Sequence, residues 1–96
     1  MNENLISIVV PVRNEEKYII NCLKSILSFN IPKDFDYEIM VVDGNSEDKT
    51  LELLKNFISD SDNKKIKIIK NHKLTQAHGL NVAINNAIGS RILRLD

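Results

Sequence analysis

The sequence predicts an α/β fold built on a mostly parallel four-stranded sheet, and three observations carry that prediction. First, β-branched apolar segments alternate with segments of helical periodicity in the order βαβαβαβ, a pattern satisfied by parallel strands joined through right-handed crossovers. Second, two strands stop abruptly at hydrogen-bonding clusters, Pro11-Val12-Arg13-Asn14-Glu15 and Asp43-Gly44-Asn45-Ser46, each followed by an amphipathic helix. Third, a further strand end, Ile92-Leu93-Arg94-Leu95-Asp96, carries a carboxylate on its last residue. In open α/β sheets ligands bind in the crevice beyond the carboxyl ends of the strands. The pattern therefore points to a small-molecule pocket suited to a nucleotide. The expected sheet order is 3-2-1-4, with the crevice between strands 1 and 4.

Each element has its own signal. Leu5 to Val12 is a nearly continuous apolar run, as expected of a strand covered on both faces. Tyr18/Ile19, Cys22/Leu23 and Ile26/Leu27 then form a helical stripe, with Asn14 a fitting N-cap and Glu15 and Glu16 in the first turn. Asn30 to Asp36 reads as a loop and Tyr37 to Val42 as the second strand. Ser46 suits an N-cap for a second helix lined by Leu51, Leu54 and Ile58, with Phe57 beside them. Lys65 to Lys70 alternates as a strand near the sheet edge, where lysines discourage edge pairing. A third helix is expected from Thr75 to Ile88, with Gly89 in a C-cap position and Arg91 to Leu95 as the fourth strand. About three helices are thus expected.

Length and composition narrow the classes. The 96 residues make one domain at most, and 43% hydrophobic with 27% charged residues fits a globular chain rather than a disordered one. Thirteen basic residues balance thirteen acidic ones, so no overall field favours nucleic acid or an anionic membrane. Aromatics are 5% and Trp is absent, which removes the stacking platform an RNA-binding surface would use. Cys22 is the single cysteine, cannot form an internal disulfide, and lies on an apolar stripe, which fits a buried thiol in a reducing compartment. No apolar run approaches a membrane span. The chain is therefore expected to be cytoplasmic, with the cytoplasmic face of a membrane as the alternative for a longer protein.

The two strand-end loops carry the candidate chemistry. Pro11 stiffens the exit from the first strand and offers no amide. Asn14 and Glu15 can meet a ligand's polar edge or cap the helix, and Arg13 can contact a ligand or stay solvated. Asp43 sits at the mouth of the sheet, where its carboxylate can accept from a base N–H or a ribose hydroxyl. Gly44 lets the backbone approach a ligand or take φ > 0, while Asn45, Ser46, Asp48 and Thr50 supply turn and cap hydrogen bonds. A plain strand-to-helix turn explains the same residues equally well.

Together these segments resemble the family 2 glycosyltransferases of the GT-A fold. Pro11-Val12-Arg13-Asn14-Glu15 looks like that family's Pro-x-x-Asn-Glu strand end, and Val41-Val42-Asp43-Gly44-Asn45-Ser46-Glu47-Asp48-Lys49-Thr50 like its Val-Val-Asp-(Asp/Gly)-Gly-Ser-Thr-Asp-x-Thr segment. Gly79-Leu80-Asn81-Val82-Ala83-Ile84 is similar to its Ala-(Arg/Leu)-Asn-x-(Gly/Ala)-Ile helix, and Leu95-Asp96 falls where its Asp-x-Asp motif begins. The resemblance covers nearly the whole chain and implies a Rossmann-like GT-A half-domain, residues 1–96, that binds a nucleotide sugar. It implies that Pro11, Val12, Arg13, Asn14 and Glu15, largely through backbone groups, cradle the base, with Asn45 beside them. Asp43 would hydrogen-bond the base or ribose, Asn81 would shape the donor site, and Asp96 would face the ribose and the metal-bridged diphosphate. Mg²⁺ or Mn²⁺ suits such oxygen ligands and is expected in the complete enzyme. The sequence departs from the family at Gly44, Leu80 and Gln76, the last two standing where a basic residue is common; His72 or Lys73 could replace that charge.

The same resemblance implies an inverting transfer from a UDP-sugar to a polysaccharide, glycan or lipid acceptor. It places the general base and the second metal ligand beyond Asp96, so the chain is expected to be the donor-binding half of the domain and inactive alone. Self-association through the exposed edge of strand 4 is expected as well. Competing readings fit less. An NAD-dependent oxidoreductase fragment needs Gly-x-Gly-x-x-Gly after its first strand, and the first turn here contains no glycine. A sugar-nucleotide pyrophosphorylase wants a Gly-rich basic first loop, and a receiver domain wants acidic residues after its first strand. A non-catalytic nucleotide-binding domain remains the alternative.

Overall fold

In this computed structural model, residues 2–61, 65–71, 87 and 89–95 are described. Strand β1 spans Asn2–Val12, helix α1 Ile19–Leu27, strand β2 Asp36–Asp43, helix α2 Thr50–Ser61, strand β3 Ile66–Lys70 and strand β4 Gly89–Arg94. All strand pairs are parallel and the order is β3-β2-β1-β4, as the alternating pattern predicts. The third predicted helix, Thr75 to Ile88, lies outside the described residues except at Ala87.

The strands are apolar on both sides, and residues of both faces are buried. Successive side chains of a strand point to opposite faces. Ile8, Val10 and Val12 of β1 and Ile39 and Val41 of β2 join Ile19, Leu23, Ile26 and Leu54 from the two helices in one core. On the opposite face Val9 and Val42 form a second cluster, with Ile69 packed against it. The register sets Val9 beside Met40 and Pro11 beside Val42, so the run that reads as continuous in sequence divides cleanly between two layers. Of the stripe predicted for α1, Ile19, Leu23 and Ile26 turn inward and Cys22 and Leu27 are half-buried, while Tyr18 precedes the helix and is exposed. Truncating Leu23, fully buried here, to Ala would cost about 2–5 kcal/mol.

A polar contact chain crosses the sheet among this apolar packing. The Gly89 amide of β4 donates to Ser7 Oγ of β1 at 3.0 Å, the Ser7 hydroxyl donates to Glu38 Oε2 of β2, and Lys67 Nζ of β3 donates to Glu38 Oε1 at 2.9 Å. Ser7 and Glu38 are buried, so each relies on these partners. Lys67, read from sequence as an edge-strand charge, thus neutralises a buried carboxylate.

The structure differs from expectation at Gly89 and Asn14 and leaves Gly44 without one of the two roles open to it. Gly89 is not a C-cap: it begins β4 with no positive φ, and a Cβ there would lie 2.6 Å from Ser7 Oγ and 2.7 Å from the Leu5 carbonyl. Glycine is needed because β4 approaches β1 so closely. Gly44 also lacks a positive φ; among the described non-glycine residues the left-handed conformation falls on Asn14 (φ 52°) and Asn45 (φ 59°). Asn14 does not cap α1 either, since the helix begins at Ile19, five residues later, after Tyr18 and with no side-chain cap.

Candidate functional site

The carboxyl ends of β1 and β2 lie side by side, with Val12 paired to Asp43. Two loops leave them together: residues 13–18 toward α1 and residues 44–49 toward α2. The first backbone bond beyond the strands runs from the Gly44 amide to the Val12 carbonyl at 2.8 Å. From there side chains take over.

Three successive amides of the first loop are taken by side chains of the second loop and of the first residue of α2. Asn14 N donates to Ser46 Oγ at 3.0 Å, Glu15 N to Thr50 Oγ1 at 2.8 Å, and Glu16 N to Asp48 Oδ2 at 3.2 Å. In return Asn14 Oδ1 accepts the amides of Glu47 at 2.7 Å and Asp48 at 3.3 Å. Asn14 can do so because Asn tolerates the left-handed backbone better than most residues. The helix-start role assigned to Asn14 in the sequence falls to Glu15 instead, whose carbonyl accepts from the amides of Tyr18 and Ile19 at 3.0 and 2.9 Å.

Each hydroxyl in this lattice is anchored to a carboxylate. The Ser46 hydroxyl donates to Asp43 Oδ1 at 2.5 Å while the Ser46 amide donates to Asp43 Oδ2 at 3.3 Å. The Thr50 hydroxyl and amide both donate to Asp48 Oδ1, the amide at 2.9 Å. Ser46 is therefore no N-cap; Asp48 holds the first amide of α2, and the Lys49 carbonyl accepts the Leu53 amide at 2.9 Å. Residual burial works against ionisation of Asp48, yet the Thr50 hydroxyl, the amides of Thr50 and Glu16 and its own amide together hold its carboxyl below the usual value. Asp43 is only 3% exposed, and its carbonyl accepts the Asn71 amide at 2.8 Å, which extends the ladder toward β3.

Beside this junction a cleft of about 280 Å³ opens between β1 and α1, lined by Val10, Pro11, Val12, Glu15, Tyr18, Ile19 and Cys22. Its lining is mainly apolar with one carboxylate at the rim. Tyr18 is exposed at 66%, an aromatic face turned to solvent at the cleft mouth. Cys22 is half-buried; burial, and then the negative charge of Glu15, push its thiol above the ordinary value, so it stays protonated at neutral pH.

The structure thus brings together Pro11, Val12 and Glu15 at the cleft and Asn14, Asp43 and Asn45 at the loop junction, with Arg13 exposed near Gly44. Asn81 and Asp96 lie outside the described residues, as do His72, Lys73 and Gln76. Among the described residues no group of three His, Cys, Asp or Glu side chains converges to hold a metal ion, and the Asp43 oxygens are already engaged by Ser46. Those residues do not by themselves fit the expected cation. Ser46, Asp48 and Thr50, which the sequence presents as local turn and cap residues, reach across to the first loop. The Asp-x-x-Ser and Asp-x-Thr spacings were the available signal.

A parallel sheet in this order, with paired loops at its carboxyl edge, defines a Rossmann-like domain of the GT-A kind, and comparisons with known proteins agree. The glycosyl transferase family 2 model matches residues 7–96, and the chain belongs to that family. It is 43% identical over 86 residues to a dolichyl N-acetyl-alpha-D-glucosaminyl phosphate 3-beta-D-2,3-diacetamido-2,3-dideoxy-beta-D-glucuronosyltransferase of Methanococcus voltae, covering 90% of this chain and 26% of the relative. Among solved structures, Staphylococcus aureus TarS in complex with UDP-GlcNAc superposes with a TM-score of 0.75 at 29% identity, covering 95% of this chain and 26% of that one. A mannosyltransferase from Pyrobaculum calidifontis in complex with GDP-Man and Mn²⁺ superposes with a TM-score of 0.78 at 25% identity, covering 90% of this chain and 25% of that one. The chain spans about a quarter of the length of these relatives. No helix among the described residues is long and apolar enough to cross a membrane.

Proposed function

We propose that this chain forms the donor-binding part of an inverting family 2 glycosyltransferase and binds a nucleotide sugar, with UDP as the nucleotide. The observation that carries the reading is the paired strand ends: the loops after β1 and β2 are fixed to one another at the carboxyl edge of a parallel sheet, beside an apolar cleft. A base needs an apolar wall and a few directed polar groups, and Pro11, Val12, Tyr18 and Glu15 supply them. The relatives bound to UDP-GlcNAc and GDP-Man support a nucleotide-sugar ligand, and the relative named for a dolichyl-linked sugar phosphate supports a lipid-linked acceptor.

Within this reading Asn81 would help complete the donor site, and Asp96 would help hold a divalent cation that neutralises charge on the diphosphate. The three amides of Asn14, Glu15 and Glu16 are spent on the second loop, so the first loop contributes carbonyls and side chains to the ligand, not an anion-binding row of N–H groups. The chain alone is proposed to bind donor without turning it over; among the described residues the donor-side loops hold the carboxylates of Asp43 and Asp48 in hydrogen bonds to Ser46 and Thr50. Calorimetry with UDP, GDP and NAD tests the reading. UDP binding is the expected result; binding of NAD with none of UDP overturns it, as does sugar transfer from UDP-GlcNAc by the isolated chain.

A further inference from the structure

We infer that Asp43 is a positioning residue that sets donor affinity through Ser46 and Asn14 without touching the nucleotide. The inference rests on the donor-site reading above and assigns a role within that site. Three observations converge on it. Asp43 is 3% exposed, so little of its surface faces the cleft mouth. Both of its carboxylate oxygens are engaged by one residue, Oδ1 by the Ser46 hydroxyl and Oδ2 by the Ser46 amide. The same Ser46 oxygen accepts the Asn14 amide, and Asn14 Oδ1 returns to the amides of Glu47 and Asp48.

The result is a relay of fixed direction. A hydroxyl has one hydrogen and two lone pairs. With its hydrogen committed to the Asp43 carboxylate, Ser46 Oγ can only accept from the first loop. The carboxylate thereby turns Ser46 into an acceptor aimed at the Asn14 amide, and Asn14, held there, accepts through its own Oδ1 from the Glu47 and Asp48 amides of the second loop. Charge-assisted bonds of this kind are about twice as strong as neutral ones. Both loops are thus held in one geometry before ligand arrives, and a pre-ordered site binds more tightly because less freedom is lost.

A double-mutant cycle on the 96-residue chain, read by UDP calorimetry, tests the relay. Ser46→Ala removes the middle of the relay, and Asp43→Asn sets an NH₂ donor against the Ser46 amide. Each is expected to weaken UDP about tenfold, the double variant no more than either single one, and Ser46→Thr, which keeps the hydroxyl, to stay within about twofold of the parent. The preference for UDP over GDP is expected to stay unchanged in all of them. If the losses multiply, or Asp43→Asn alters that preference, Asp43 touches the ligand and the inference fails. Amide hydrogen exchange without ligand gives an independent reading. Faster exchange at Asn14 in Ser46→Ala, restored by Ser46→Thr, supports the relay, and unchanged exchange overturns it. A parent chain that binds no UDP refutes the donor reading alone, because the exchange result still decides the relay.

Discussion

Asn14 Oδ1 accepts the Glu47 amide at 2.7 Å, joining residues 33 apart in sequence, and it does so from a left-handed backbone with φ 52°. Those two facts separate experimentally. Asn14→Gly keeps the backbone accessible and removes the acceptor, whereas Asn14→Ala removes the acceptor and also strains the backbone. Urea unfolding is expected to show a loss of about 1 kcal/mol for Asn14→Gly and about 2 kcal/mol for Asn14→Ala. Asn14→Asp, which retains the acceptor, should lose least. Equal losses for the Gly and Ala variants would mean the backbone conformation contributes nothing.

Gly89 and Gly44 make opposite predictions from the same substitution. A Cβ on Gly89 meets Ser7 Oγ at 2.6 Å, the Leu5 carbonyl at 2.7 Å and the Ser7 amide at 2.8 Å, two of which are backbone atoms that cannot rotate aside. Gly89→Ala must push β4 away from β1 and is expected to cost about 1–3 kcal/mol. A Cβ on Gly44 meets nothing closer than the Val12 carbonyl at 3.4 Å, and the residue has no positive φ. Gly44→Ala is therefore expected to change stability by less than about 0.5 kcal/mol. Thermal unfolding of the two variants decides it, and comparable losses would refute the account of β4 packing.

These contrasts show what the sequence could carry. The layers and strand order were legible because apolar periodicity reports which face is buried, as at Ile19, Leu23 and Ile26 of α1. The two loops were legible as a candidate site because hydrogen-bonding residues, Arg13-Asn14-Glu15 and Asp43, follow directly on apolar runs at strand ends. The partner of Asn14 was not, since an Asn before a helix satisfies a local cap or a distant amide equally well, and only the register of Val12 against Asp43 puts Glu47 and Asp48 within reach. The role of Gly89 is hidden for a similar reason. A glycine after a helical pattern signals a C-cap, while close approach of two strands leaves no local trace.

Asp48 and Asp36 predict the acid limb of stability. Hydrogen bonds hold the Asp48 carboxyl below its ordinary value of 3.8 despite the opposing effect of burial. Asp36 is lowered chiefly by its hydrogen bond from Lys65 and then by the Tyr37 amide. The fold favours the ionised form of each, so the stabilisation is fully present above pH 3.8 and disappears as pH falls through the lower folded values. In an Asp36→Asn background, the stability advantage of Asp48 over Asp48→Asn should therefore be constant near neutral pH and shrink below about pH 4. Denaturant unfolding at several pH values measures this. An advantage that grows on acidification would contradict the hydrogen-bond assignment.

Cys22 tests the electrostatics of the cleft without a ligand. Burial raises its thiol first and the Glu15 charge adds to the shift, so alkylation by iodoacetamide at pH 7.5 should be slow and should accelerate as pH rises past 9. Glu15→Gln removes the smaller cause while leaving the burial. The reaction at pH 7.5 is expected to quicken by less than about threefold in that variant, because burial still disfavours the thiolate. Glu15 donates to Thr50 through its amide rather than its side chain, so the substitution spares the loop lattice and the melting temperature should hold. A rate unaltered by Glu15→Gln would show that the carboxylate faces away from the cleft, and one increased a hundredfold would show that charge rather than burial governs the thiol.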